Sequence, residues 1–140
     1  MRTPDFISVW IIEDDADDRD LIAAAFEESQ HRVGTFCLNN ALSAIDFLKK
    51  CTPAELPNIL VTDFNMPLMN GYQLLNVLDS DSKYRYIKKV VLSTACLPED
   101  QRKCLEKGAD AYITKPSRYG ELVEVANKIL LLESKSPLIL

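Results

Sequence analysis

Residues 58–72 read NILVTDFNMPLMNGY and pass from an apolar run through a polar turn into a helix. The run NILVT predicts a strand buried on both faces, as in the parallel sheets of α/β proteins. Asp63 follows it directly, and the Asn, Pro and Gly residues beyond it indicate a turn. A carboxylate in this place can form the turn, bind a metal ion or act as a nucleophile, and the stretch alone leaves all three roles open.

The same change from strand to helix recurs along the chain. Apolar or β-branched runs predict strands at residues 6–12, 33–38, 58–62, 89–94 and 111–114. Helical periodicity predicts helices at residues 16–29, 40–50, 71–78, 98–107 and 118–132. Pro98 suits the first turn of its helix, and Gly108 suits the position just past its end. We therefore predict an α/β protein with a doubly wound sheet of five parallel strands and helices on both faces.

The composition fits one globular domain with neither nucleic acid nor a membrane as its partner. The chain has 140 residues and a formal charge of −5, so it has no basic surplus to neutralise phosphates. No apolar segment is long enough to span a bilayer. The clustered bases Lys83, Arg85, Lys88 and Lys89 are expected to form a solvated face.

The cysteine pattern indicates a reducing compartment. None of the four cysteines stands in a CxxC pair, and the start of the chain does not read as a secretory signal. We therefore expect free thiols and a cytoplasmic location.

Polar side chains collect where the predicted strands end. Glu13-Asp14-Asp15 ends the first strand, Asp63 the third, Ser93-Thr94 the fourth and Lys115 the fifth. In an open parallel sheet, ligands bind outside the carboxyl ends of the strands, where the strand order reverses. Carboxylates gathered there repel one another and need a counter-charge. Oxygen ligands with no His or Cys beside them favour Mg²⁺ over Zn²⁺.

This set of residues points to phosphate chemistry. Mg²⁺ beside carboxylates and a lysine is an arrangement that handles phosphoryl groups. Asp63 is then the predicted phosphoryl acceptor, because a carboxylate can act as a nucleophile and form an aspartyl-phosphate. Lys115 would pair with the phosphoryl oxygens, and Thr94 would donate a hydrogen bond to one of them.

Four motifs resemble those of the receiver domain of two-component response regulators. They are Glu13-Asp14, DFNMPLMNG from Asp63, Ser93-Thr94-Ala95 and Lys115-Pro116, in that order. The resemblance covers residues 5–132, taken as the domain, and leaves residues 133–140 as a tail. It implies the flavodoxin-like receiver fold with strand order 2-1-3-4-5, as in the family's chemotaxis regulators.

The resemblance also assigns the metal ligands. Asp63 matches the phosphorylated aspartate, which also binds the metal. Asp14 matches a direct Mg²⁺ ligand, and Glu13 matches an acid that acts through water. Asn65 matches the position whose main-chain carbonyl binds the metal. Glu13 departs from the family's usual Asp but keeps a carboxylate.

Three further residues match the family's switch. Thr94 matches the switch hydroxyl, Lys115 the lysine of the site, and Tyr112 the aromatic ring that turns inward on activation. Pro116 matches the proline that follows a cis peptide bond. Asp15 can cap the first helix, but the sequence leaves its role open. Asp17, Asp18 and Asp20 are expected to form a solvated face. His31 is expected to be exposed and not to take part.

The implied function is that of a stand-alone response regulator, which is not an enzyme beyond its own phosphoryl transfer and dephosphorylation. A histidine kinase or a phosphotransfer protein would phosphorylate Asp63, and a downstream protein would bind the changed surface. We expect a monomer or weak homodimer, and a chain of this length leaves no room for an effector domain.

Two other functions remain as alternatives. One is a receiver that only binds proteins and has lost phosphorylation, although its acceptor, metal and lysine positions are all filled. The other is a phosphatase of the haloacid-dehalogenase type, which also forms an aspartyl-phosphate. That class has a second acid two residues after the acceptor, where this chain has Asn65.

Overall fold

A computed structural model describes residues 6–134 of the chain, in which strands and helices alternate. The strands are β1 (Ile7–Ile12), β2 (Val33–Leu38), β3 (Ile59–Thr62), β4 (Lys88–Ser93) and β5 (Ala111–Thr114). The helices are α1 (Ala16–Glu27), α2 (Ala41–Lys50), α3 (Gly71–Asp79), α4 (Pro98–Glu106) and α5 (Tyr119–Ser134). Two short 3-10 turns, Pro53–Glu55 and Ser82–Tyr84, were not predicted.

The five strands form one parallel sheet in the order β2-β1-β3-β4-β5. This order confirms the predicted fold class and the flavodoxin-like topology. The chain crosses from one side of β1 to the other between β2 and β3, so the strand order reverses at β1. A crevice opens at the carboxyl ends of the strands beside such a reversal.

Apolar clusters cover both faces of the sheet. On one face Ile11, Val61 and Val90 pack with side chains of α1 and α5. On the other face Trp10 and Leu60 pack with side chains of α2 and α3. Burial on both faces explains why these strands are almost continuously apolar. Leu21 of α1 is an exception among the apolar residues of that helix, because it is exposed.

The capping residues set where the helices begin and end. Asp15, whose role the sequence left open, caps α1 by accepting a hydrogen bond from the backbone N–H of Asp18 at 2.9 Å. Asn70 and Gln73 form a reciprocal capping box at the start of α3. Gly108 follows α4 with φ of +94°, a conformation that favours glycine. Each cap fixes the direction in which a loop leaves the carboxyl or amino edge of the sheet.

Several boundaries differ from the predictions by one or two residues. Helix α1 ends at Glu27, two residues early, and β4 begins at Lys88, one residue early. Helix α5 continues to Ser134, so Glu133 and Ser134 are helical although they were assigned to the tail. The rest of that tail lies outside the described residues. His31 is half-buried, against the prediction that it is exposed.

The basic cluster is only in part the solvated face that was predicted: Arg85 is exposed, but Lys83 and Lys89 are drawn toward backbone carbonyls. Lys89 is buried, and its ammonium group donates to the carbonyls of Tyr84 at 3.0 Å and Ile87 at 2.9 Å. Lys83 donates to the carbonyls of Leu48 and Lys49 at the end of α2. Unpaired carbonyls at the ends of helical turns attract cations, and this draws both side chains inward.

Two further observations bear on the chain as a whole. All four cysteines are free thiols, as predicted. Within residues 6–134 no helix combines the length and the apolar character needed to cross a membrane.

Candidate functional site

Three carboxylates meet at the carboxyl ends of β1 and β3. One oxygen each of Glu13, Asp14 and Asp63 lies within 4.8 Å of the other two. The register explains this convergence, because Ile12 pairs with Thr62 and the next residues of both strands therefore lie side by side. The backbone N–H of Asp63 donates to the Ile12 carbonyl at 3.1 Å, which fixes this alignment past the end of β3.

The turn after Asp63 is held closely against the start of α3. The N–H of Phe64 donates to the Asp63 carboxylate at 2.8 Å, and the N–H of Gly71 donates to the Phe64 carbonyl at 2.8 Å. A Cβ atom at Gly71 would lie only 2.7 Å from the Asp63 carbonyl oxygen. The position therefore requires glycine, because any side chain would push the turn away from the helix.

Lys115 brings a positive charge to the acids. Its Nζ atom lies 2.7 Å from Glu13 Oε1 and 3.0 Å from Asp18 Oδ2, and its side chain is 9% exposed. Its backbone N–H donates to the Ser93 carbonyl at 2.8 Å, which anchors the residue beside β4. The structure thus joins Lys115 to the predicted acids. It also corrects the prediction for Asp18, which pairs with Lys115 and is not simply part of a solvated face.

Burial has the largest effect on the pKa values of the two inner acids of the cluster, Glu13 and Asp63. Burial raises the pKa of Glu13 even though Lys115 and the Asp15 N–H both donate to it. Burial also raises the pKa of Asp63, against the charge of Lys115 and the hydrogen bonds from Phe64 and Ser93. A rise in both values means that one ammonium group does not fully compensate the acids.

Lys115 responds in the opposite sense to its surroundings. Burial disfavours its charged form, but the hydrogen bonds to Glu13 and Asp18 and the charges of Glu13 and Asp63 together outweigh burial and raise the pKa of Lys115. The pair therefore stabilises the charged form of Lys115. The charged form of Glu13, whose side chain is only 2% exposed, is still disfavoured. We attribute the difference to Glu13 being the more deeply buried partner and lying close to Asp63.

The donor set fits a hard divalent cation. Three carboxylates within mutual reach offer oxygen ligands only, which is the chemistry of Mg²⁺ or Mn²⁺ sites. The uncompensated negative charge of the inner acids would be relieved by such an ion. Asn65 lies exposed in the turn two residues after Asp63, and the role of its carbonyl stays a prediction.

The hydroxyl that contacts Asp63 is that of Ser93 and not that of Thr94. Ser93 is fully buried, and its hydroxyl hydrogen-bonds the Asp63 carboxylate and lowers its pKa. Thr94 is exposed and lines a cleft together with Asp18 and Lys115. Ser93 is the last residue of β4, and neighbouring residues of an extended chain direct their side chains to opposite sides. Ser93 is therefore the hydroxyl beside Asp63 in this structure, and the predicted hydrogen bond of Thr94 to a phosphoryl oxygen stays a prediction.

Tyr112 lies inward in this structure. It is buried, and its hydroxyl donates to the Ala95 carbonyl at 2.9 Å across the loop that follows β4. Its ring is tilted against that of Phe64, with the centroids 6.4 Å apart. The ring therefore contacts both the loop after β3 and the loop after β4. A second, outward position of Tyr112 stays a prediction.

The prediction of a cis peptide bond before Pro116 is wrong. No cis peptide bond occurs among the described residues, so the Lys115–Pro116 bond is trans. The trans form is favoured for X–Pro bonds by about 0.5–1 kcal/mol unless the surroundings select the other isomer. The lysine reaches Glu13 with the trans bond in place.

Comparison with known proteins agrees with this fold and site. Residues 9–127 match the family described as the response regulator receiver domain. The two-component response regulator ORR6 of Oryza sativa subsp. japonica is 32% identical over 123 residues, which are 86% of this chain and 69% of that protein. Because the family match spans most of the chain, the chain belongs to the response regulator receiver domain family.

Solved structures show the same fold. The phosphorylated cyanobacterial phytochrome response regulator RcpA superimposes with a TM-score of 0.83 at 23% identity, over 93% of this chain and 95% of that one. The Mn²⁺-bound form of the response regulator Rcp1 gives a TM-score of 0.79 at 22% identity, over 96% of this chain and 99% of that one. The predicted family, fold and two-component signalling class are thereby confirmed.

Proposed function

We propose that this receiver domain accepts a phosphoryl group on Asp63 from a histidine kinase or a phosphotransfer protein, with Mg²⁺ bound at the site. The observation that carries the proposal is the convergence of Glu13, Asp14 and Asp63 within 4.8 Å, with the Lys115 ammonium group 2.7 Å from Glu13. A nucleophilic carboxylate, a metal-binding acid pair and a cation are the parts that aspartyl-phosphate formation needs.

In the proposed step, a carboxylate oxygen of Asp63 forms a bond to the phosphorus of a phosphohistidine. The phosphorus–nitrogen bond breaks, and the imidazole nitrogen keeps its electron pair and takes up a proton from water. With a small acyl phosphate as donor, the phosphorus–oxygen bond breaks instead and a carboxylate leaves. In dephosphorylation, water attacks the phosphorus, the phosphorus–oxygen bond to Asp63 breaks, inorganic phosphate leaves, and Asp63 returns to its free carboxylate.

The residues of the site divide the work. Glu13, Asp14 and Asp63 would hold Mg²⁺, together with the main-chain carbonyl of Asn65. When bound, this ion neutralises charge on the phosphoryl oxygens. Lys115 would bind one of those oxygens through its ammonium group. In place of Thr94 we assign the remaining hydrogen bond to Ser93, because its hydroxyl already contacts Asp63.

The signal would leave through the surface formed by α4, β5 and α5. Ser93 and Tyr112 are two links in that direction, because Tyr112 bonds the carbonyl of Ala95 two residues after Ser93. Moving Ser93 toward a phosphoryl group would shift this loop and the helix α4 that follows. The exposed side chains Leu97 and Leu105 on this surface would contact a downstream protein.

Other properties follow from this role. The chain would act on no substrate except its own phosphoryl group and would be a monomer or weak homodimer. Its four free thiols support a cytoplasmic location, where cysteines stay reduced.

The test is labelling by a small acyl phosphate in the presence of Mg²⁺, followed by intact mass measurement. Wild-type protein should gain the mass of one phosphoryl group, and chelation of Mg²⁺ should abolish the gain. Asp63→Asn should show no gain, because the amide that replaces the carboxylate is not a nucleophile. Asp46→Asn, which removes an exposed acid on α2, is the matched control and should be labelled like wild type.

Labelling of the Asp63→Asn variant to the wild-type extent would refute the assignment of Asp63. Wild-type protein that takes no label under any Mg²⁺ concentration would leave a receiver that only binds proteins.

A further inference from the structure

The Lys115 ammonium group is shared between two acids that belong to different parts of the molecule. Glu13, at 2.7 Å, is one of the three carboxylates of the metal cluster. Asp18, at 3.0 Å, lies in the first turn of α1 and is not among those three. An ammonium group has three protons, so after these two contacts one proton is left for Asp63 or for a phosphoryl oxygen.

Asp18 offers Lys115 a position outside the metal cluster. Its side chain is 41% exposed, whereas that of Glu13 is 2% exposed. Asp18, Thr94 and Lys115 line a cleft of about 260 Å³ between α1 and the loop after β5. The N-terminus of α1 favours a negative charge on Asp18. The cleft leaves room for the lysine to lie toward α1.

We propose that Asp18 is a positioning residue for Lys115, and that it competes with the phosphoryl group on Asp63 for the ammonium group. This role rests on the proposed function. Phosphorylation of Asp63 adds negative charge and new acceptor oxygens, so Lys115 turns toward Asp63 and its contact with Asp18 weakens. Asp18 therefore opposes the engagement of Lys115 and slows the acquisition of the phosphoryl group. The same exchange links the first turn of α1 to the phosphorylation state.

The central variant is Asp18→Asn, which keeps the size of the side chain and removes its charge. Under saturating Mg²⁺ and a small acyl phosphate, we expect this variant to be labelled about threefold faster than wild type. This factor is the size expected from the loss of one partly exposed ion pair. Asp18→Glu restores the carboxylate and should return the rate to near the wild-type value.

Asp17→Asn is the matched control. Asp17 is the preceding residue in the same first turn of α1 and is exposed, so its substitution removes one charge from the same helix end. A general effect of charge on donor or metal attraction would change both variants alike. The proposed role predicts that only Asp18→Asn departs from wild type.

A second measurement follows Lys115 directly and needs neither metal nor donor. The ammonium signal of Lys115 in a ¹H–¹⁵N NMR spectrum is assigned by its loss in Lys115→Met. In metal-free protein, Asp18→Asn should shift this signal and speed its exchange with water, whereas Asp17→Asn should leave it unchanged. A fold that is intact but merely less stable would not produce this difference.

The outcomes separate this role from the proposed function. Wild-type protein that takes no phosphoryl group overturns the proposed function and this role with it. Labelled wild-type protein, with Asp18→Asn and Asp17→Asn reacting at one rate, overturns the role of Asp18 alone. An unchanged Lys115 signal in Asp18→Asn overturns it as well.

Discussion

Two lysines at opposite ends of the sheet are each less than one-tenth exposed, yet their pKa values are shifted in opposite directions. Lys115 follows β5 at the carboxyl edge, and its contacts with Glu13 and Asp18 raise its pKa in spite of burial. Lys89 is the second residue of β4, near the amino edge, and burial lowers its pKa. Its ammonium group donates to the backbone carbonyls of Tyr84 and Ile87, and the nearby charges of Asp110 and Asp79 offset burial only in part.

The difference lies in the partners and not in the depth of burial. Carboxylates carry a full charge that can offset the desolvation of an ammonium group, whereas carbonyl dipoles offset only part of it. The carboxyl edge therefore keeps a lysine charged and available for chemistry. The amino edge uses a lysine to fasten the loop between α3 and β4. Substitutions at the two lysines should show which partner matters more.

The largest effect is expected for Lys115→Met in metal-free buffer. Loss of the ammonium group leaves Glu13 buried beside Asp63 without a counter-charge. We expect the free energy of unfolding to fall by about 3 kcal/mol, which is the typical cost of removing one partner of a buried ion pair. Urea denaturation followed by circular dichroism measures the change.

Mg²⁺ provides the control for this variant. A divalent cation would supply the missing charge, so saturating Mg²⁺ should recover part of the lost stability. A loss of the same size with and without Mg²⁺ would contradict the view that charge compensation is the cause.

Most of the fold could be predicted from local sequence patterns. Runs such as VWII and KVVLS are apolar because both faces of the sheet are covered, and the spacing of Leu74, Leu75 and Leu78 marks the buried face of α3. These features depend on nearest neighbours in sequence. Strand order does not, and it was reached through the family resemblance.

The site was predictable where the backbone alone decides it. Glu13 and Asp63 follow directly on adjacent strands, so the sheet brings them together. The choice between Ser93 and Thr94 depends on which side of the chain each hydroxyl faces at the last residue of β4, and that needs the register. The pairing of Asp18 with Lys115 joins residues 97 positions apart. An acid in a helix full of acids gave no signal of it.

Lys89→Met should cost less than Lys115→Met. The carbonyls of Tyr84 and Ile87 lose a donor, but the burial of a charge is also removed, so the two effects partly cancel. We expect a loss of roughly 1 kcal/mol in the free energy of unfolding, measured by urea denaturation at neutral pH. Equal losses in the Lys89→Met and Lys115→Met variants would remove the contrast between carboxylate and carbonyl partners.

The pH dependence of Lys89 gives a finer test. Between its lowered folded pKa and the ordinary value of 10.5, the unfolded chain binds more protons than the folded one at this residue. The stability that depends on Lys89 therefore rises with pH through that window. The free energy of unfolding of wild type should therefore rise relative to that of Lys89→Met as the pH is raised from neutral toward 10. Urea denaturation of both proteins at each pH measures this difference. A difference that is constant across this range would mean that the pKa of Lys89 is not lowered.

The smallest effect is expected for Glu133→Gln at the amino edge. Burial raises the pKa of Glu133, against the charge of Lys88 and a hydrogen bond from Asn58 at 3.4 Å. Between the ordinary value of 4.5 and the raised value, the folded protein binds more protons than the unfolded chain, so stability falls as pH rises. The neutral glutamine avoids this loss of stability.

Glu133→Gln should therefore be slightly more stable than wild type at pH 7. Below pH 4.5 the two should be equally stable, because wild-type Glu133 is then protonated in both the folded and the unfolded state. Thermal unfolding at the two pH values checks this. A variant that is less stable at pH 7 would show that the attraction of Lys88 outweighs burial, and that the amino edge also compensates its buried charges.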